Sequence, residues 1–314
     1  MTTASSEASA AAVARLPDRI AFLGFGLIGG SIALALRAAG YAGRLVAWTP
    51  AGSGPRAGLE QGALDAAPAT ASKAIDGAGL VILAGPPMAV IAALDELAGP
   101  LHAALATGAT VTDVASTKGL IVARAEDLGL PFVGGHPMAG RETTGFESAT
   151  ADLFVDRPWV VVAPDGAARR DIDGVEALAR ATGAHPISMS AIDHDLAVAA
   201  ISHLPLIAAA ALVESVAADA GRWPAARELA AGGWRDMTRL ARGDVDMGAG
   251  ILATNARPIA AAIRAYRDAL DAWITELDRL SDESAPALPG PADVERVRAK
   301  LDAARATLET EPKP

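Results

Sequence analysis

The stretch IAFLGFGLIGG, Ile20 to Gly30, decides the fold. It reads as a short apolar strand, Ile20 to Leu23, a turn with Gly24, Gly26 and Gly29 in the GxGxxG spacing, and an apolar helix from near Leu27. Each glycine answers a separate demand. Gly24 lets the chain turn sharply off the strand, Gly26 lets backbone approach a pyrophosphate, and Gly29 lets helix and strand pack closely. Unpaired N–H groups at the helix start then face the phosphates, so Gly24, Phe25, Gly26, Leu27, Ile28 and Gly29 form a candidate dinucleotide loop. The plain alternative is a structural turn in a chain with 31 glycines. A strand before and a helix after favour the dinucleotide site.

Composition bounds the rest. At 314 residues there is room for two domains with buried cores. A content of 51% hydrophobic but only 4% aromatic residues points to an Ala, Val and Leu core of the helical or α/β kind. The net charge of −10 argues against a general nucleic-acid binder, although a few placed arginines suffice for an anionic ligand. Without cysteine there is no disulfide framework and no thiolate site. Residues 1–17 are mostly small or polar, lack the continuous apolar core of a secretory signal, and read as a flexible tail. The run LPLIAAAALV is too short to span a bilayer, so the expectation is a soluble, cytoplasmic protein with neither a membrane nor a nucleic-acid partner.

After the glycine loop, Ser31 to Ala39 continues the helix, which Gly40 and Gly43 end. RLVAWT, Arg44 to Thr49, is the second strand. A fold of the NAD type usually carries Asp or Glu at its end; here stand Thr49, then Ser53 and Arg56, which favours NADP over NAD. LVILAGPP is a buried strand breaking into the turn Gly85, Pro86, Pro87, where ligands bind in open α/β sheets. ATVTDVASTKG supplies the strand Thr110 to Val114 and brings Asp113, Ser116, Thr117 and Lys118 to the same edge; Ser116 or Thr117 could equally cap a helix. PFVGGHPMAG sets His136 after an apolar run and two glycines, either as an ordinary loop histidine or as a third member of the crevice. Trp159 to Ala163 closes the sheet. Residues 18–168 are therefore expected to form a Rossmann-type α/β domain with a doubly wound, mainly parallel sheet.

From about Asp171 the pattern changes to Ala/Leu helices, which predicts an all-α dimerisation and substrate domain over 169–283. Pro186 to Met189 is a short link or strand. Asp193, His194 and Asp195 could be a metal cluster, but a helix cap explains them more simply, and no metal is expected. His203 and Pro205 inside an apolar stretch suggest a pocket or a kink. Arg235 and Arg239, four apart, read as a solvated face or as a carboxylate clamp. Ile251 to Leu280 is a long helix, SDESAPALPGP a linker, and Pro291 to Glu311 a charged arm, so 284–314 is linker and arm. A helical domain this apolar predicts a homodimer.

The segments FLGFGLIGGS, TDVASTKG, GGHPMAGRETTGFESA, DHDLAVAAISHLP and GGWRDMTRLA together resemble the prephenate and arogenate (cyclohexadienyl) dehydrogenases of tyrosine biosynthesis, in that family's order from about Arg19 to Leu280. The resemblance implies NAD(P)-dependent oxidative decarboxylation of arogenate, prephenate or both. It implies that His136 accepts the bond from the ring hydroxyl, Ser116 orients nicotinamide and substrate, and Arg239 pairs with the ring carboxylate. Ser202 and His203 of SHLP, with Arg235 of RDMTR, are then substrate-binding. Two positions depart from many prephenate-using members: Leu206 stands where they have a second histidine, and Gly248 where some have tryptophan. Both departures favour arogenate or dual specificity. The chain after the helical domain is too short for the ACT-type regulatory domain of some relatives. A 3-hydroxy-acid dehydrogenase would need a lysine base, and no lysine lies between Lys118 and Lys300. A catalytically silent NADP-binding sensor would have little use for His136, Ser116 and Arg239 together.

Overall fold

The structure, a computed structural model, describes residues 9–141, 143–218, 221–226, 228–280 and 290–310. Most of the expected linker and the ends of the expected tail and arm lie outside the described residues. Seven strands form one sheet: β1 Arg19–Leu23, β2 Arg44–Trp48, β3 Leu80–Leu83, β4 Thr110–Asp113, β5 Phe132–Pro137, β6 Pro158–Val162 and β7 His185–Ser188. Their order is β2-β1-β3-β4-β5-β6-β7, parallel throughout except where β5 meets β6.

The central strands are apolar on both faces because helices cover both. Ile20 and Phe22 enter one core with Leu36, Trp159 and Leu178, while Ala21 and Leu23 enter another with Val81, Leu94 and Ile121. This alternation places one core on each side of the sheet. The chain order reverses between β1 and β3, and that switch point is where a doubly wound sheet opens a crevice beyond its carboxyl ends.

Two expectations about the domain's limits change. The tail is already helical at residues 9–13: Ala12 and Leu16, one turn apart, are buried in the core, and Ser9 Oγ donates to the Arg180 carbonyl at 3.2 Å. At the other end β6 does not close the sheet. The helix Arg169–Ala181 packs Val175 and Leu178 into it, and β7 then pairs with β6 from Pro158↔His185 to Val161↔Ser188. The sheet-forming part thus extends to Ser188 rather than ending near residue 168.

Beyond it the helix Ala191–Val198 runs through a π turn, Ala199–His203, into Leu204–Ala217. Pro205 explains the irregularity, since its ring cannot donate to a helical carbonyl and a widened turn relieves the clash. Together these 27 residues, Ala191–Ala217, are long and apolar enough to cross a membrane by length and composition, which the shorter apolar run within them is not. Gly232–Thr238, a 3₁₀ turn Arg239–Arg242, and Val245–Thr254 follow. Asp244 caps the last of these, accepting from the Met247 amide at 2.8 Å.

The chain divides into two compact units at Ile259 and Ala260, a division that falls inside the helix Ala256–Leu280. The second unit holds the rest of that helix and the arm helix Pro291–Thr310. Arg296 Nε meets Glu276 Oε1 at 3.0 Å, and Lys300 Nζ lies 4.3 Å from the centroid of the Trp273 ring.

Candidate active site

Three glycines shape the end of β1, each differently. Gly24 has φ +102°, and a Cβ there would stand 2.5 Å from the Ala84 carbonyl. At Gly29 a Cβ would come within 2.9 Å of the Gly24 oxygen. At Gly26 nothing lies closer than the Gly145 amide at 4.0 Å, so its surface is left open. The helix Leu27–Ala38 begins at Gly26 with no side-chain cap, which leaves its first-turn N–H groups without helical partners. Open backbone and free N–H groups fit a dinucleotide pyrophosphate. Phe25 supplies backbone only, because its side chain is buried and stacked on Phe146 with ring centroids 5.3 Å apart.

A cavity of about 780 Å³ opens from this loop. Gly26, Leu27 and Ile28 line it from the glycine turn, Gly85 and Pro86 from the end of β3, Ser116 from the loop after β4, and His136 from β5. Ser202, His203, Leu206, Arg239 and Gly248 line it from the helices. Four strand ends, one helix start and four helical segments therefore converge on one volume.

Other expected site residues fall elsewhere. Pro87 is the first residue of the helix Pro87–Ala98 and packs against Gly250, where a Cβ would meet its ring at 3.1 Å; it is a packing contact rather than part of the wall. Arg235 is exposed and not on the wall, because the helix ends at Thr238 and Arg239 begins a tighter turn, so the two arginines do not share a continuous helical face. Thr49 follows β2, Ser53 and Arg56 lie on the next helix, Ser53–Glu60, and Thr49 Oγ1 accepts from the Gly52 amide at 3.0 Å. They lie beside the glycine turn, since the Gly24 amide donates to the Trp48 carbonyl, but outside the cavity wall.

Asp113 is corrected most. It is fully buried, accepts from the Ala115 and Gly135 amides at 3.0 Å each, and forms an ion pair with the equally buried Lys118. Completely buried, with both oxygens engaged, it presents no surface to a cofactor. It instead holds β4 to β5 beneath the site. The glycines before His136 now have a reason: a Cβ at Gly134 would press on Lys118 Cδ at 3.0 Å, and one at Gly135 on the Asp113 carbonyl at 2.6 Å.

His136 Nδ1 lies 2.8 Å from His194 Nε2, and His194 Nδ1 lies 2.8 Å from Asp195 Oδ1. Asp195 also accepts from the Lys118 and Gly119 amides at 2.8 Å. The helix cap expected of this segment is Ser190, whose Oγ accepts from the Asp193 amide at 3.0 Å. His194 and Asp195 are thereby turned inward, and their place at the site went unread in the sequence. Burial, then the neighbouring His194, Lys118 and His203, hold His136 well below the usual histidine range, so its ring is neutral at pH 7. Burial likewise pushes His203 down to about 4, despite the opposing influence of Asp195. Asn255 Nδ2, 3.2 Å from His203 Nδ1, also donates to the Asp195 carbonyl at 2.8 Å. Ser116 Oγ has no hydrogen-bond partner among the described residues. Among those residues, no group of three or more His, Cys, Asp or Glu could hold a metal.

A doubly wound sheet, a bare-backbone glycine turn at its switch point and a neutral histidine across the same cavity define a dinucleotide-dependent dehydrogenase. Comparison with known proteins narrows the class. Residues 32–188 match the family model of the prephenate dehydrogenase nucleotide-binding domain, and 190–287 that of the prephenate dehydrogenase dimerization domain. Prephenate dehydrogenase of Bacillus subtilis is 33% identical over 270 residues, covering 85% of this chain and 70% of that protein. Among solved structures, Synechocystis arogenate dehydrogenase aligns with TM-score 0.72 at 28% identity, over 92% of this chain and 99% of that one. Prephenate dehydrogenase from A. aeolicus, in complex with hydroxyphenyl propionate and NAD+, aligns with TM-score 0.78 at 25% identity, over 92% and 98%. The chain belongs to the prephenate dehydrogenase family.

Proposed function

We propose that this chain oxidatively decarboxylates a cyclohexadienyl substrate in tyrosine biosynthesis, with arogenate favoured over prephenate and NADP over NAD. The observation that carries the reading is the meeting of His136, Ser116, His203 and Arg239 with the glycine turn around one cavity. When bound, the nicotinamide accepts hydride from the ring carbon that bears the hydroxyl. Neutral His136 takes the hydroxyl proton. Ser116 Oγ, without a partner among the described residues, is available to orient the reacting groups. Arg239 at the cavity wall binds the ring carboxylate, and since that carboxylate departs, its contribution is orientation more than tight ground-state binding.

The substrate preference rests on Leu206 and Gly248, which line the cavity as neighbours: a Cβ on Gly248 would lie 3.8 Å from Leu206 Cδ2. Neither presents a cation or a donor to an α-keto acid. The cofactor preference rests on Thr49, with Ser53 and Arg56 close by and no carboxylate in its place to repel a 2′-phosphate. A four-way steady-state assay of nicotinamide reduction tests both: arogenate with NADP is expected to dominate, whereas prephenate with NAD would remove both specificity arguments.

We further propose a homodimer formed through the helices. Ile192, Leu196, Ile201 and Met237 are all more than half exposed in the single chain, on segments within the matched dimerization domain. A subunit interface is a simpler partner than lipid for the helix Ala191–Ala217, because His194, Asp195 and His203 on it are bonded into the site. Sedimentation as a monomer at micromolar concentration would overturn this.

A further inference from the structure

We infer that His194 and Asp195 form a buried relay behind His136 that fixes which of its ring nitrogens carries the proton and takes up the charge when it accepts another. The inference rests on His136 being the base. It follows from counting donors and acceptors. Burial alone would raise the Asp195 carboxyl, but the bond from His194 and the amides of Lys118 and Gly119 outweigh it, so the group is an ionised, acceptor-only carboxylate. The proton between Asp195 and His194 therefore sits on His194 Nδ1. Where that is the one proton His194 carries, its other nitrogen, Nε2, must accept. Its partner at 2.8 Å, His136 Nδ1, must donate. His136 Nε2 is left with a bare lone pair on a residue that lines the cavity.

The proton balance is complete without further groups. The substrate O–H bond breaks, its electron pair stays with the substrate, and the proton forms Nε2–H on His136. The Nδ1 proton of His136 moves to His194 Nε2, and the positive charge comes to rest on an imidazolium beside Asp195. The other charged or titratable groups facing His136 are Lys118, paired to Asp113, on the β4 side, His203 on the π turn, and Arg141, Arg239 and Asp244 at the cavity wall. The ring that meets Nδ1 at bonding distance is His194. Removing the carboxylate's charge weakens the relay. Oδ1 accepts from both His194 Nδ1 and the Lys118 amide and Oδ2 from the Gly119 amide, so in Asp195→Asn either placement sets the NH₂ against a backbone N–H, and no negative charge is left beside the imidazolium that forms.

Asp195 also anchors the amides that begin the helix Gly119–Asp127, so a purely structural role has to be separated from this one. Two readouts do so. ¹⁵N NMR of the unmutated protein is expected to show His136 as the Nδ1–H form, a preference that His194→Leu should lose. In steady state, Asp195→Asn is expected to lower kcat about 10²- to 10⁴-fold and move the acid limb of the pH profile to lower pH, while KM and the nicotinamide Kd change less than about threefold. His194→Leu should lose turnover similarly. His194→Gln, whose amide oxygen can still accept from Nδ1, should restore part of it, and this pair keeps the test open should Asp195→Asn fail to fold. A wild-type His136 in the Nε2–H form would overturn the inference, as would normal turnover in His194→Leu alongside an inactive His136→Asn. Normal turnover in His136→Asn would instead refute the assignment of the base, leaving the NMR result to judge the tautomer alone.

Discussion

The glycine turn and the His136 corner lie at carboxyl ends of parallel strands in one sheet, yet they are built by opposite means. The first works by removing side chains: Gly24 and Gly29 allow backbone to close up, and Gly26 leaves it bare. The second packs Asp113, Lys118, His194 and Asp195 at under one tenth exposure and joins them to His136 by hydrogen bonds and one ion pair. A site for phosphate needs only backbone donors, whereas a site that moves a proton needs side chains held in one tautomer. Their tolerance to mutation should differ accordingly, with the first corner sensitive to added bulk and the second to lost charge.

The largest expected effect is on chemistry. His136→Asn should lower turnover by about 10³-fold with little change in substrate affinity, measured by steady-state kinetics. Next comes the support beneath it: Lys118→Met leaves Asp113 buried and unpaired, and should cost about 3–5 kcal/mol in urea unfolding, whereas replacing both partners by apolar residues should recover most of that. Equal stability of the single and double variants would show that the pair is not what holds this corner. At the other corner, Gly26→Val adds bulk where the structure has room for it, so the fold should persist while nicotinamide affinity falls about tenfold or more by titration. Acidification should act on the histidine corner. Both His136 and His203 are held below their unfolded value near 6.5, so the unfolded chain takes up protons first. Their contribution to stability is complete above that pH and declines as pH falls toward about 4. Melting temperatures between pH 7.5 and 4.5 should therefore fall, and His203→Gln should flatten the decline. The smallest effect should be a few-fold shift toward NAD in Thr49→Asp, read as the ratio of kcat/KM values.

The two corners also differ in what the sequence discloses. The glycine turn is local: strand, turn and helix follow one another within eleven residues, and the spacing itself carries the physics. His194 and Asp195 are not local, because they reach His136 and the Lys118 and Gly119 amides only when the helix that follows β7 docks against the loop after β4. Neighbouring residues on a helix do not ordinarily face each other, so His194 and Asp195 read more readily as parts of a cap. A usable signal was present: Ser190 already supplies the cap, which leaves two adjacent polar residues unexplained at the head of an apolar helix. Asp113 was misplaced for a related reason. Alternation along β4 sends it to a strand end, but sequence cannot tell a side chain at the lip of a crevice from one beneath its floor. The strand β7 was legible only as a link or a strand, since HPIS is short and mostly exposed or half-exposed.

The π turn at Ala199–His203 has one more implication. It accommodates one residue beyond what a regular helix would use, and so sets the angular phase of everything that follows. A single-residue deletion there, at Ala200, would let the segment relax to 3.6 residues per turn and leave Leu204–Ala217 near its present phase, whereas one added residue would rotate that helix by about 100° against the preceding one. With the insertion, Leu206 would swing off the cavity wall, and the outward apolar stripe would turn with it. The length of this five-residue stretch should therefore resist insertion far more than deletion.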